Sequence, residues 1–195
     1  MTRIIAGSAR GRRLKTPAGE HTRPTTDRVR EALFSALESS LGSLVGLRFL
    51  DLYAGSGAVG LEAMSRGAGV ATLVEGDRRT ARLVQANADT LEFRRAEVVS
   101  LAVARAVAQP PRAPYDVVFL DPPYGLATAD VEDVLRKLVD HGWLAHGATL
   151  VVERSSRGLE PLWPAGIVAD RSKSYGETVL WWAVADSGPT RHSGS

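Results

Sequence analysis

The chain has 195 residues, 44% of them apolar and 24% charged, with a net charge of +2, proportions that suit one ordinary globular domain with a core of its own. It holds no cysteine, which excludes disulfides and thiolate metal sites. Its four histidines, His21, His141, His146 and His192, form no metal-ligand spacing; no apolar leader opens the chain and no stretch reaches membrane-span length, so a cytoplasmic protein with no metal, no membrane contact and no obligate protein partner is expected.

Residues 3–15, Arg-Ile-Ile-Ala-Gly-Ser-Ala-Arg-Gly-Arg-Arg-Leu-Lys, place two short β-prone pieces around Gly7-Ser8, and a hairpin is expected. Residues 16–25 are rich in Pro, Thr and Gly and read as loop. Thr25 or Thr26 then caps a helix with Asp27 in its first turn, where the dipole favours an anion. Val29, Leu33, Phe34, Leu37 and Leu41 form its apolar stripe, and Arg28 and Arg30 are expected off that stripe, open to solvent or a partner. Residues 1–30 carry eight Lys/Arg against two acids, so this end is +6 and the rest of the chain −4. A basic arm on a mildly acidic body meets phosphates locally. Arg10, Arg12, Arg13, Lys15, Arg23 and Arg28 are the expected nucleic-acid contacts.

From residue 47 a β/α alternation begins. Strands are predicted at 47–52, 70–74, 97–99, 115–120 and 149–153, with helices at 58–66, 78–91, 101–107 and 129–141 between them. Two more strands, 166–169 and 177–184, follow without a strong helix between them. This pattern predicts a mostly parallel α/β sheet covered on both faces, its last strand antiparallel. Trp181 and Trp182 fall on opposite faces of the final strand and read as packing residues. The chain thus divides into a basic β extension and loop over 1–25, an α/β domain over 26–185 and a polar tail over 186–195.

Two loops carry chemistry. The first, Asp51-Leu52-Tyr53-Ala54-Gly55-Ser56-Gly57-Ala58-Val59-Gly60, joins the first strand of the alternation to its helix. Glycines let the chain turn sharply and a ligand touch the backbone, and ligands of open α/β sheets sit beyond the strands' carboxyl ends. Gly55-x-Gly57-x-x-Gly60 also fits a dinucleotide fingerprint, but Asp51 would repel a pyrophosphate. The same carboxylate attracts the ammonium or sulfonium of S-adenosylmethionine, so the cationic cofactor is the better fit. Tyr53, Ala54, Gly55, Ser56 and Gly57 are its expected lining. Glu75, closing the second strand, suits both ribose hydroxyls.

The second loop is Asp121-Pro122-Pro123-Tyr124, closing the fourth strand. Two prolines fix φ twice and restrict the residue before each. The Asp121 carboxylate and Pro122 carbonyl then make a fixed pair of acceptors for a planar –NH2 group, and the Tyr124 ring offers a stacking face. Asp121, Pro122, Pro123 and Tyr124 are the expected catalytic residues. Asp121 either takes the proton late or compensates the developing positive charge; no metal or covalent intermediate is required.

Asp51-x-x-Ala54-Gly55-Ser56-Gly57 together with Asp121-Pro122-Pro123-Tyr124 resembles the class I amino-methyltransferases. Arg23-Pro24-Thr25-Thr26-Asp27-Arg28-Val29-Arg30-Glu31, after an Arg-Ile-Ile-Ala-Gly start, resembles the RsmD family. The resemblance spans roughly residues 3–184. It implies a Rossmann-like methyltransferase sheet with a small N-terminal β-hairpin extension, and methylation of N2 of guanine 966 in 16S ribosomal RNA within the assembled small ribosomal subunit. It also implies Gly55–Gly57 lining the cofactor, Glu75 on its ribose and Asp121–Tyr124 clamping the guanine amine. Many class I enzymes read the cofactor's adenine with an acidic or amide side chain after the third strand; here Ser100 or a backbone group would serve. A DNA adenine-N6 or protein glutamine N-methyltransferase shares the clamp, and a nicotinamide-dependent oxidoreductase is the more distant alternative.

Overall fold

The structure, a computed structural model, describes residues 2–17 and 27–186. Arg23, the expected helix caps Thr25 and Thr26, and residues 187–195 of the expected tail lie outside the described residues. Two short strands, β1 (Thr2–Arg3) and β2 (Arg13–Leu14), pair antiparallel as a hairpin. Helix α1 (Asp27–Leu41) follows, then β3 (Arg48–Leu52), α2 (Ala58–Ser65), β4 (Val70–Val74), α3 (Arg78–Thr90) and β5 (Ala96–Val99). The chain continues through α4 (Val103–Ala106), β6 (Tyr115–Leu120), α5 (Thr128–Asp140), β7 (Leu144–Ser155), β8 (Ile167–Tyr175) and β9 (Thr178–Ala185). The main sheet has seven strands in the order β5-β4-β3-β6-β7-β9-β8. Pairing is parallel from β5 to β7, and β9 runs antiparallel to both β7 and β8. The order reverses between β3 and β6, so the carboxyl ends of these two neighbours open the crevice where such sheets bind ligands.

Strand alternation builds two apolar layers. Phe49, Leu73, Val117, Phe119 and Val151 face α1, α2 and α3, while Leu50, Leu52, Val118, Leu120 and Val152 face α4 and α5. On α5, Val131, Val134, Leu135 and Leu138 repeat at helical spacing and are buried. Each contributes ~1.5–3 kcal/mol of burial, and together they outweigh the lack of a side-chain cap at Ala127. On β9, Trp182 is buried in the first layer and Trp181 packs against the second.

The hairpin segment does not stand apart. Glu62 on α2 is fully buried and accepts from Ile5 N at 2.7 Å and Ala6 N at 2.9 Å. Ser65 accepts from Ser8 N and Ala9 N and donates to the Ala6 carbonyl. Gly7 lies so close to α2 that a β-carbon there would stand 1.8 Å from the Ser65 carbonyl oxygen; any side chain would push the arm off the helix.

Arg30 corrects the sequence reading. It is 0% exposed, on the inner face with Val29, Leu33, Phe34 and Leu37. Its guanidinium donates to Thr2 Oγ1 at 3.1 Å, Asp27 Oδ1 at 3.0 Å and the Arg3 carbonyl. Burial lowers its pKa, opposed by Asp27 and Glu62. Positions 30, 33, 34 and 37 share one helical face, and the hairpin supplies the polar lid that an apolar stripe alone could not reveal.

Two strands are longer than predicted. β7 begins five residues early, at Leu144, in a half-polar stretch past a bulge opposite Tyr115 and Val117. β8 runs on through Asp170-Arg171-Ser172-Lys173-Ser174, all exposed at the sheet edge. An edge strand wet on both sides has no apolar alternation to read, and its charges discourage further pairing.

Candidate active site

At the end of β3 the chain leaves the sheet through three left-handed residues, Tyr53 (φ 65), Gly55 (φ 54) and Gly57 (φ 79), before α2 begins at Ala58. For Tyr53 this conformation costs on the order of 1–2 kcal/mol, a strain that marks ligand-facing loops. Gly57 has no room for a side chain: a β-carbon would meet Val84 Cγ1 at 2.8 Å. At Gly55 the space is open, so a ligand can lie directly against its backbone.

Acids brace this loop from both sides. Glu75, half-buried at the end of β4, accepts from Gly55 N at 2.9 Å on one oxygen and from Asp77 N at 2.8 Å on the other. A carboxylate offers about four acceptor positions, which leaves capacity for two hydroxyls. Asp51 lies behind the loop, 1% exposed, with Oδ2 accepting from Gly60 N at 2.8 Å. Burial pushes its carboxyl up to about 7; the Gly60 hydrogen bond opposes that shift and the negative charge of Glu75 adds to it. A cation bound over the loop would draw it back toward the ionised form. The Tyr53 phenol is pushed up to about 12, by burial first and by Asp130 second, with Arg154 opposing.

The Asp121–Tyr124 turn stands beside the loop. Strand β6 pairs parallel with β3, with Leu120 opposite Leu52, and Asp121 N donates to the Leu52 carbonyl at 3.3 Å. The tetrapeptide therefore starts one residue past the end of β6, beside the end of β3 from which the glycine loop departs. Pro122 is buried, Asp121 partly buried, Pro123 exposed, and Tyr124 is 58% exposed. Leu126 N closes the turn onto the Pro123 carbonyl at 2.9 Å. All peptide bonds of the described residues are trans.

Ala54 is buried and donates its N–H to the Val74 carbonyl, while Ser56 is partly buried. Ser100 is exposed just past β5; the next residues reach the turn after β4, where a β-carbon on Gly76 would stand 3.6 Å from Ala102 Cα. Arg10, Arg12, Arg13 and Lys15 are exposed on the hairpin arm and Arg28 is exposed on α1. Arg12 also donates to the Thr90 carbonyl at 2.8 Å, tying the arm to the end of α3.

Sequence reasoning missed Arg154 and Asn87. Arg154, on β7, reaches the Leu126 carbonyl at 3.4 Å, below the tetrapeptide turn, and its Nη1 is buried without a hydrogen-bond partner. Asn87, 3% exposed on α3, bonds both the arm and the loop. An amide on the buried face of α3, beside Ala81, Val84 and Ala88, was the available signal for it.

A seven-stranded sheet with one antiparallel strand, a strained glycine loop at its switch point and an Asp-Pro-Pro-Tyr turn on the next strand together define a class I, Rossmann-like methyltransferase. Comparison with known proteins narrows this. The family described as "Conserved hypothetical protein 95" matches residues 2–184. Ribosomal RNA small subunit methyltransferase D of Escherichia coli (strain K12) is 41% identical over 175 residues, covering 90% of this chain and 85% of that protein. A solved Escherichia coli structure superposes with a TM-score of 0.83 at 38% identity, covering 95% of this chain and 98% of that one. A magnesium protoporphyrin IX methyltransferase from Synechocystis, solved with bound S-adenosylmethionine, shares the fold at a TM-score of 0.62 and 14% identity, covering 80% of this chain and 79% of that one. The chain belongs to the RsmD family, and its cofactor is S-adenosylmethionine. No helix among the described residues is long and apolar enough to cross a membrane.

Proposed function

We propose that this protein methylates the exocyclic N2 of a guanine in 16S ribosomal RNA, guanine 966, within the small ribosomal subunit. The observation that carries the reading is the side-by-side placement of the glycine loop and the Asp121–Tyr124 turn on paired strands β3 and β6. On this reading one loop is the cofactor cradle and the other the amine clamp, and their shared crevice supports it. The name of the Escherichia coli relative supports the ribosomal RNA substrate, and the exposed arm of Arg10, Arg12, Arg13 and Lys15, with Arg28 on α1, supports a polyanion.

In this reading Tyr53, Ala54, Gly55, Ser56 and Gly57 line the cofactor, and Glu75 holds its ribose with the acceptor positions that Gly55 and Asp77 leave free. Asp51 supports the loop from behind and supplies negative charge near the cofactor's cationic end. Ser100 or a neighbouring backbone group reads the adenine ring. When bound, S-adenosylmethionine supplies an electrophilic methyl group.

The remaining work falls to the tetrapeptide. An aromatic exocyclic amine is a weak nucleophile because its lone pair is delocalised into the ring. Asp121 and the Pro122 carbonyl accept its two N–H bonds, restore density on nitrogen and fix its direction. Pro123 keeps the turn rigid, and Tyr124 stacks on the base. As the N–C bond forms and the S–C bond breaks, Asp121 balances the positive charge on nitrogen and takes the departing proton. Positioning and electrostatics supply the rate.

The test is methyl transfer from labelled cofactor to assembled small subunits, free 16S ribosomal RNA, DNA and protein, followed by mapping of the modified base. Label on a guanine N2 of small-subunit RNA is expected. Label on DNA adenine or protein glutamine instead, or stabilisation of the fold by NAD and not by S-adenosylhomocysteine, would overturn the reading.

A further inference from the structure

We infer that Asn87 is a positioning residue that couples the basic arm to the cofactor loop, so that ligand binding at one tightens the other. The inference rests on the reading of Gly55–Gly57 as the cofactor cradle and of the arm as the nucleic-acid contact. Its side chain is 3% exposed on α3. Its Oδ1 accepts from Lys15 N at 2.9 Å, and its Nδ2 donates to the Lys15 carbonyl at 2.9 Å and to the Ser56 carbonyl at 3.1 Å. Both amide N–H groups and the amide oxygen are thus engaged, and a single rigid plane holds two segments of chain.

The two segments are the ones that meet ligands. Lys15 is the last basic residue of the described arm, one position past β2. Ser56 sits between the two left-handed glycines of the loop. The arm's other anchors end on Arg30, Glu62, Ser65 and Thr90, which hold it to α1, α2 and α3 rather than to the loop. Asn87 adds the connection to the cradle. A planar amide bonded at three points cannot follow one segment without losing the other, because its hydrogen bonds weaken steeply when misaligned. A ligand that fixes the Ser56 backbone therefore removes part of the ordering cost at Lys15, and nucleic acid that fixes the arm does the same for Ser56. By linkage the two effects are equal in binding free energy.

Hydrogen exchange of the intact protein reads this directly. In the wild type, saturating S-adenosylhomocysteine should slow exchange of the Lys15 amide about fivefold or more, although the ligand sits at the loop. Asn87→Asp keeps the acceptor for Lys15 N and the side-chain shape but replaces both N–H donors. It should bind S-adenosylhomocysteine and lose the slowing at Lys15. A short 16S ribosomal RNA hairpin should likewise tighten S-adenosylhomocysteine binding by about the same factor in the wild type and not in Asn87→Asp. A merely structural role would lower the melting temperature and leave the ligand-dependent change in place. Indifference of Lys15 exchange to S-adenosylhomocysteine in the wild type, a measurement that needs no variant, overturns the inference, as does retention of the slowing in Asn87→Asp. Slowing at Lys15 without methylation of any RNA base would leave the coupling standing and sink the ribosomal RNA reading. Failure of the wild type to bind S-adenosylhomocysteine overturns both.

Discussion

The glycine loop and the Asp121–Tyr124 turn leave the sheet from neighbouring strands, yet they hold their shape by opposite means. The loop is kept in place from outside: Asp51 grips Gly60, Glu75 grips Gly55, Asn87 grips Ser56, and Gly57 is wedged against Val84. The turn is stiff from within, through two consecutive prolines, and it ends in the open with Pro123 and Tyr124 exposed. Under the proposed roles, the difference matches the sizes of the two ligands. A small cofactor can be enclosed by a cradle that the core supports. A base presented on a large folded RNA needs a rigid lip that protrudes, and here Pro122 roots the turn in the core while Pro123 stiffens its exposed end.

The sharpest way to break the comparison is at the lip. In the proposed role, Asp121→Ala removes one of the two acceptors and the countercharge, and it leaves the loop's own braces intact. Methyl transfer should fall about a thousandfold, with S-adenosylhomocysteine affinity within about threefold of wild type by calorimetry. Loss of both together would mean that the two loops form one unit and that the distinction is wrong.

The cradle side is tested by pH. The Asp51 carboxyl is raised from 3.8 to about 7 in the folded protein, so between these values folding takes up a proton. The resulting stability is fully present below about pH 4, is lost as pH rises toward 7, and is flat above it. A shift of that size corresponds to on the order of 4 kcal/mol. Asp51→Asn keeps an acceptor for Gly60 N and cannot ionise. Its melting temperature should exceed that of the wild type at pH 8 by several degrees, and the gap should close toward pH 4. A constant gap across that window would show that burial does not hold Asp51 protonated.

Gly57→Ala attacks the same cradle by shape. Alanine at φ 79 costs ~1–2 kcal/mol, and its β-carbon would stand 2.8 Å from Val84 Cγ1, so the loop must shift. A loss of about 2–3 kcal/mol in urea unfolding is expected, together with at least tenfold weaker S-adenosylhomocysteine binding. Gly55→Ala has the strain without the collision, since nothing stands within 4 Å. It should cost less stability and still weaken binding. Equal stability loss in the two variants would rule out the wedge.

The two loops were also the most legible parts of the sequence, for a shared reason. Both are local: Gly55-Ser56-Gly57 and Asp121-Pro122-Pro123-Tyr124 fix their backbones by residue type alone. The strands under them are short apolar runs whose ends fell within a residue or two of prediction. What escaped was long-range. Glu62, Ser65, Asn87 and Thr90 take their meaning from arm residues 56 to 78 positions away, and nothing in the spacing of either segment announces the other. Arg30 failed for the same reason, since its lid of Thr2 and Arg3 comes from a different segment. β8 escaped because an exposed edge carries no apolar period.

The smallest effect separates ring from hydroxyl at the lip. Tyr124 is 58% exposed, so its replacement should barely move stability. In the proposed role its ring supplies a stacking face, worth ~1–3 kcal/mol per base, and its hydroxyl supplies nothing essential. Tyr124→Phe should then retain methyl transfer within about twofold, while Tyr124→Ala should lose about tenfold or more in kcat/KM with S-adenosylhomocysteine affinity unchanged. Stacking orients the amine against Asp121 as well as holding the base, so part of the alanine loss should fall in kcat. A Phe variant as damaged as Ala would transfer the role to the hydroxyl and recast the exposed half of the site as a hydrogen-bonding surface.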